Sequence, residues 1–150
     1  MFRKILYPTD FSEVAQKALG YIKQLRLCGA EEVVVLHVFY QRELRNLATL
    51  GGVTGNWPVD LDKELKQREA EYLKATQHIV EELKTAGFQA KGIVREGIPL
   101  REILKTVEDE RVSVIVLGSH GKTNLQEVLL GSLSDGVIRH SRVPVLVVKR

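Results

Sequence analysis

The sequence predicts a single α/β domain: an open parallel sheet of five strands, Rossmann-like or flavodoxin-like, with helices on both faces. Three observations carry this. Short runs rich in Val, Ile and Leu alternate with longer amphipathic stretches down the whole chain, the pattern of a parallel sheet crossed by helices. The 150 residues are 44% hydrophobic and 27% charged, which is ordinary for a globular domain. No internal repeat, low-complexity run or linker divides them. A fold of this size removes about 68–70% of the unfolded chain's surface from water, so it needs no metal or disulfide to hold together.

Each element follows in order. Lys4 to Tyr7 reads as the first strand. From Ser12 the apolar residues Val14, Ala15, Ala18, Leu19, Ile22 and Leu25 recur at helical spacing, and Gly29 supplies the left-handed residue that stops this helix. Val33 to Phe39, VVVLHVF, is a second strand that is almost wholly apolar. Tyr40 to Val59 holds Gly51, Gly52, Gly55, Asn56 and Pro58 and is expected to be an insertion rather than one regular element. Asp60 caps a long second helix with Leu61, Leu65, Tyr72, Ile79 and Leu83 on its apolar stripe, Glu64 and Arg68 paired on the wet side, and Gly87 at its end. Phe88 to Arg95 alternates as a third strand, with Gln89, Lys91, Ile93 and Arg95 on a half-polar face. Pro99 opens a third helix that turns Leu100, Ile103, Leu104 and Val107 inward. Val112 to Leu117 is a fourth, doubly buried strand; a glycine-rich stretch and a helix to His140 follow, and Val143 to Val148 is the fifth strand.

Strands covered on both faces read as continuous apolar runs, whereas alternation marks a strand at an edge. The second strand is continuous and the third alternates, which favours the order 3-2-1-4-5 over 2-1-3-4-5. In that order the chain reverses direction between strands one and four. Ligands of open α/β sheets sit at such a switch point beyond the carboxyl ends of the strands, here at Pro8-Thr9-Asp10 and from Gly118 onward.

Composition narrows the classes. Cys28 is the lone cysteine and has no intrachain partner, which fits a reducing compartment. No apolar run exceeds seven residues, against roughly 18 for a membrane span. MFRKILYPTD breaks at Pro8 and Asp10 and does not read as a signal peptide. A cytoplasmic protein is the expectation. The net charge of +3 is spread without a basic stripe, so neither nucleic acid nor membrane is an expected partner.

After the fourth strand comes Gly118-Ser119-His120-Gly121-Lys122-Thr123-Asn124, and ten residues past Gly121 stands Gly131-Ser132-Leu133-Ser134 at the start of the last helix. Two glycine turns thus frame one helix N-terminus. Glycine lets backbone N–H groups approach an anion, and the helix end adds unpaired donors and partial positive charge. Ser132 and Ser134 add hydroxyls and Lys122 a mobile cation, a set suited to phosphate. Taken singly, Gly118 and Gly121 are equally well turn residues and Ser132 a helix cap. A P-loop fails, because its first glycine falls at position 116, which is Val, and no G-x-G-x-x-G follows any strand.

The spacing Gly118-x2-Gly121-x9-Gly131-Ser132 resembles the G-x2-G-x9-G-[ST] nucleotide-binding pattern of the universal stress protein family, in its ATP-binding branch. The flanks ILYPTDFS, VVVLHVF, REGIPLREI and VPVLVVKR look like that family too, over essentially the whole chain. By this resemblance Asp10 would hydrogen-bond the ribose or adenine with Pro8 and Thr9 beside it, and Val38 would present its backbone to the adenine edge. Gly118, Ser119, His120, Gly121 and Lys122 would run along the ribose and phosphates, and Gly131, Ser132, Leu133 and Ser134 would cradle the phosphates. The resemblance implies ATP or AMP as ligand, with Mg²⁺ or Mn²⁺ carried on the phosphates, in a sensor or switch of the stress response.

Other candidates are weaker. Asp10 is also a good first-turn residue by its charge. His37, inside an apolar strand, reads as a core histidine. Neither His78 nor His140 has a partner at metal-ligand spacing. Ser134, Asp135 and His140 lie on one helix and point apart, so they form no triad. Apart from Asp10 no acidic residue is expected near the phosphates, so at most slow ATP hydrolysis is indicated; a slow ATPase or phosphotransferase is one alternative reading, and an interaction module that binds no nucleotide is the other. Two expectations concern larger units: Tyr40 to Val59, with Trp57, as a flap over the adenine, and a homodimer through the bare apolar edge strand Val143 to Val148.

Overall fold

The computed structural model describes residues 1–40, 61–120 and 130–149. Five strands, β1 (Lys4–Pro8), β2 (Glu32–Phe39), β3 (Gln89–Glu96), β4 (Val114–Gly118) and β5 (Val145–Val148), form one sheet in the order β3-β2-β1-β4-β5. All neighbours run parallel, with Ile5 opposite Val33 on one side and Val114 on the other. The helices are α1 (Glu13–Leu25), α2 (Leu61–Thr85), α3 (Pro99–Glu110) and α4 (Ser132–His140). The expected strand order and both-face coverage are therefore observed.

Two-residue alternation along the central strands builds two cores. Ile5, Tyr7, Val33, Val35, Val114 and Val116 turn to α1 and α2, where they meet Ala18, Leu19, Ile22, Val80 and Leu83. Leu6, Val34, Leu36, Ile115 and Leu117 turn the other way, to Ile103 and Val107 of α3 and Val137 of α4. Both faces of β1, β2 and β4 are thus dry, which is why these strands read as unbroken apolar runs. β3 is the edge, as expected, and its half-polar face is not bare: Lys91 pairs with Glu110 at 2.6 Å, and Arg95 with Glu102 and Asp109 at 3.4 and 3.3 Å, all on α3.

Helix ends follow local chemistry. Ser12 caps α1, its hydroxyl accepting from the Ala15 N–H at 3.3 Å. After α1 a short 3-10 turn, Arg26–Cys28, precedes Gly29 at φ +89°, and Gly87 at φ +89° follows α2. The fourth strand starts later than expected, because Val112 completes the end of α3 by donating to the Val107 carbonyl. The fifth starts at Val145 rather than Val143, since the N–H of Val143 is bound to the Ser141 hydroxyl. The Asp60 cap and the segment 41–59 lie outside the described residues.

Candidate functional site

The carboxyl ends of β1 and β4 part where the chain reverses, and a cleft of about 500 Å³ opens there. β1 delivers Pro8, Thr9 and Asp10 to it, β2 delivers Val38, β4 delivers Gly118 with His120 just beyond, and the start of α4 delivers Ser132, Leu133 and Ser134 behind Gly131. Of the expected site residues, Gly121 and Lys122 lie outside the described residues.

The turn after β1 is tightly organised. Thr9 donates its N–H to the Leu36 carbonyl at 2.9 Å, and its hydroxyl accepts from the N–H of Phe11 at 3.0 Å. Asp10 Oδ1 accepts from the N–H of Ser12 at 3.0 Å, an Asx-turn that holds the carboxylate at the cleft. Phe11 takes φ +62° between them, an uncommon conformation for a side chain of this size. Its ring packs on His37 with centroids 4.6 Å apart. His37 is buried, as the apolar strand implied, and its Nδ1 lies 2.8 Å from the Thr9 carbonyl, so β2 braces the turn as well as lining the cleft. Beneath the turn, the Tyr7 hydroxyl donates to the Ala15 carbonyl at 2.6 Å, and burial pushes its pKa up to about 12.

The α4 side of the cleft is closed by contacts between the two glycine turns. Gly131 donates its N–H to the Ser119 carbonyl at 2.7 Å, and a Cβ at Gly131 would stand 3.1 Å from that same oxygen. The Ser134 hydroxyl donates to the carbonyls of Gly118 and Ser119 at 2.9 and 3.2 Å, so it ties the turns together and its proton is not turned to a ligand. The first intrahelical bond of α4 is donated by Asp135 to the Gly131 carbonyl. The preceding N–H groups, of Ser132, Leu133 and Ser134, form the donor end of the helix at the cleft. At Gly118 a Cβ would come within 2.8 Å of Val14 Cγ1, so this glycine also lets α1 pack on β4.

Ser119 does not line the cleft: it is 1% exposed and works through its backbone carbonyl. Its hydroxyl lies 2.9 Å from His120 Nδ1, a nucleophile–base spacing, but burial keeps this hydroxyl from meeting a bound molecule. Among the lining residues that sequence reasoning missed are Phe39, Arg68 and Tyr72. The Arg68–Glu64 pair exists at 3.8 Å, but Arg68 borders the cleft rather than only the wet side of α2. Among the described residues no group of three His, Cys, Asp or Glu side chains could cage a metal ion.

The model of the universal stress protein family matches residues 1–149. The chain belongs to this family. It is 49% identical to the universal stress protein MJ0577 of Methanocaldococcus jannaschii, with 100% of this chain and 96% of that protein covered. A solved structure of MJ0577 has the same fold, with a TM-score of 0.85 at 44% identity over 100% of this chain and 97% of the other. The fold is shared, at 18% identity and a TM-score of 0.66, with an AMP-bound universal stress protein family protein from Arabidopsis thaliana, over 98% of this chain and 91% of that one. Among the described residues no helix is long and apolar enough to cross a membrane.

Proposed function

We propose that this member of the family binds an adenine nucleotide, ATP or AMP, in the cleft between β1 and β4 and acts as a nucleotide-dependent switch of the stress response. The observation that carries the reading is the closure of the Gly118 and Gly131 turns over the first turn of α4. That closure gathers backbone donors at one end of a cleft with Asp10 along its side. Backbone N–H groups at a helix start suit phosphate, and a carboxylate suits ribose hydroxyls. The AMP held by the Arabidopsis protein is consistent with a scaffold that admits this class of ligand.

In this reading Pro8, Thr9, Asp10 and Val38 border the base and ribose, and Gly131, Ser132 and Leu133 the phosphates, with Gly121 and Lys122 expected beside them. Asp10 is the one carboxylate lining the cleft among the described residues, so a Mg²⁺ or Mn²⁺ ion would be held mainly by the phosphates. The exposed Cys28 fits a reducing compartment such as the cytoplasm. The reading includes a homodimer through β5, an edge strand whose Leu146 is 39% exposed. Denaturing the purified protein and identifying released nucleotide by chromatography tests the ligand: ATP or AMP in stoichiometric amount supports the reading. No nucleotide released, and none bound at millimolar concentration, would leave an interaction module.

A further inference from the structure

Helix α2 is longer than the strands it covers. Its Thr76 and Val80 lie against β3 at Gly92, where a Cβ would stand 2.6 Å from Thr76 Cγ2. One turn nearer its start, Tyr72 is already level with Phe39, the last residue of β2, with ring centroids 5.8 Å apart. Residues 61–71 of the helix therefore run on past the strand ends, for roughly 16 Å at 1.5 Å per residue. The sheet gives this extension nothing to cover.

What it carries is a pair of side chains at the cleft. Arg68 and Tyr72 are four residues apart, on one helix face, and both line the cleft. Arg68 is the one Lys or Arg on that lining among the described residues. Its contact with Glu64, at 3.8 Å, is longer than a hydrogen bond, and the two side chains are 40% and 46% exposed, so the pair holds the guanidinium loosely. Tyr72 stands in a cluster of rings, 4.3 Å from His37 and 6.3 Å from Phe11 between centroids. Aromatic rings make one part of the wall, and a loosely paired planar cation stands one turn along the same helix.

The position within the cleft decides what this wall meets. Tyr72 packs against His37 and Phe39 of β2, whereas the phosphate donors lie beyond β4 at the start of α4. β1 separates the two strands, a distance of about 9.5 Å in the sheet. We infer that Arg68 and Tyr72 form a stacking platform for the base of the bound nucleotide, on the β2 side, and that this platform favours the wide face of a purine over a pyrimidine. The inference rests on the nucleotide reading of the cleft. Bases stack on aromatic rings and on guanidinium planes through their π faces, without hydrogen-bond readout, so the platform selects ring size rather than phosphate number.

Titration calorimetry with AMP, ATP and CTP on the parent chain, Arg68→Ala and Arg68→Lys tests this. Arg68→Ala is expected to weaken AMP and ATP by the same factor, about fivefold or more, and CTP by less, and Arg68→Lys is expected not to restore binding, since an ammonium has no planar face. A loss that grows from AMP to ATP and is restored by lysine would overturn the platform and assign Arg68 to phosphate. Unchanged affinities would overturn it as well. The two levels separate in the parent chain: if it binds none of the three, the nucleotide reading itself falls, whereas if it binds them and Arg68→Ala matches it, only the platform does.

Discussion

Ser134 on α4 donates its hydroxyl proton to the Gly118 carbonyl at the end of β4, 2.9 Å away across the two glycine turns. The Ser134 side chain is buried, and the same hydroxyl reaches the Ser119 carbonyl in a bond that is itself buried. Ser134→Ala would leave two carbonyls without this donor, at a cost of about 1–3 kcal/mol. Urea unfolding monitored by circular dichroism is expected to show a lower midpoint with an unchanged slope. A midpoint equal to the parent's would contradict the role given to this hydroxyl.

Tyr7 makes stability depend on alkaline pH. Burial raises its pKa from the ordinary 10.0 to about 12, so the folded state resists its ionisation. The sign follows from linkage: the contribution is complete below pH 10 and is lost as pH rises towards 12, a change of about 3 kcal/mol. Tyr7→Phe loses the bond to the Ala15 carbonyl, about 1 kcal/mol at neutral pH, but carries no such alkaline loss. The gap between the denaturant midpoints of the two proteins is expected to narrow from pH 8 to pH 10 and to reverse in sign by pH 11.5, where the parent has lost about 2 kcal/mol. A gap that stays constant with pH would contradict the account.

Much of this architecture was legible because it is written in periodicity. VVVLHVF reads as a doubly covered strand because both faces of β2 are dry, and Lys91 and Arg95 mark β3 as an edge because their charges reach the flank of α3. Strand order then places Asp10 and Gly118 at one switch point. Arg68 was not legible as a site residue, because helical spacing tells which side of α2 is apolar but not how far the helix outruns its sheet. Direction was hidden too: nothing in Gly131-Ser132-Leu133-Ser134 indicates that the last hydroxyl turns back to Gly118. The left-handed Phe11 is likewise a product of tertiary packing against His37.

The homodimer proposal can be sharpened by the facing of β5. Val145 and Val147 pack towards the core shared with α3 and α4, so charges placed there would unfold the monomer as well as an interface. Leu146 is 39% exposed and is the better probe. Leu146→Lys is expected to yield a folded monomer that keeps its nucleotide, against a dimeric parent, by light scattering at micromolar concentration. A monomeric parent would refute the dimer.

The central claim is that the closed pair of glycine turns binds an adenine nucleotide, and Gly131 is where it is most exposed to test. A valine there must push against the Ser119 carbonyl, 3.1 Å from the position of its Cβ, and so part the turns proposed to hold the phosphates. Calorimetric titration of ATP into the parent and Gly131→Val, both verified as folded, is expected to show binding weakened at least tenfold in the variant, about 1.4 kcal/mol. Equal affinities, or a parent that takes up no ATP, would contradict the account.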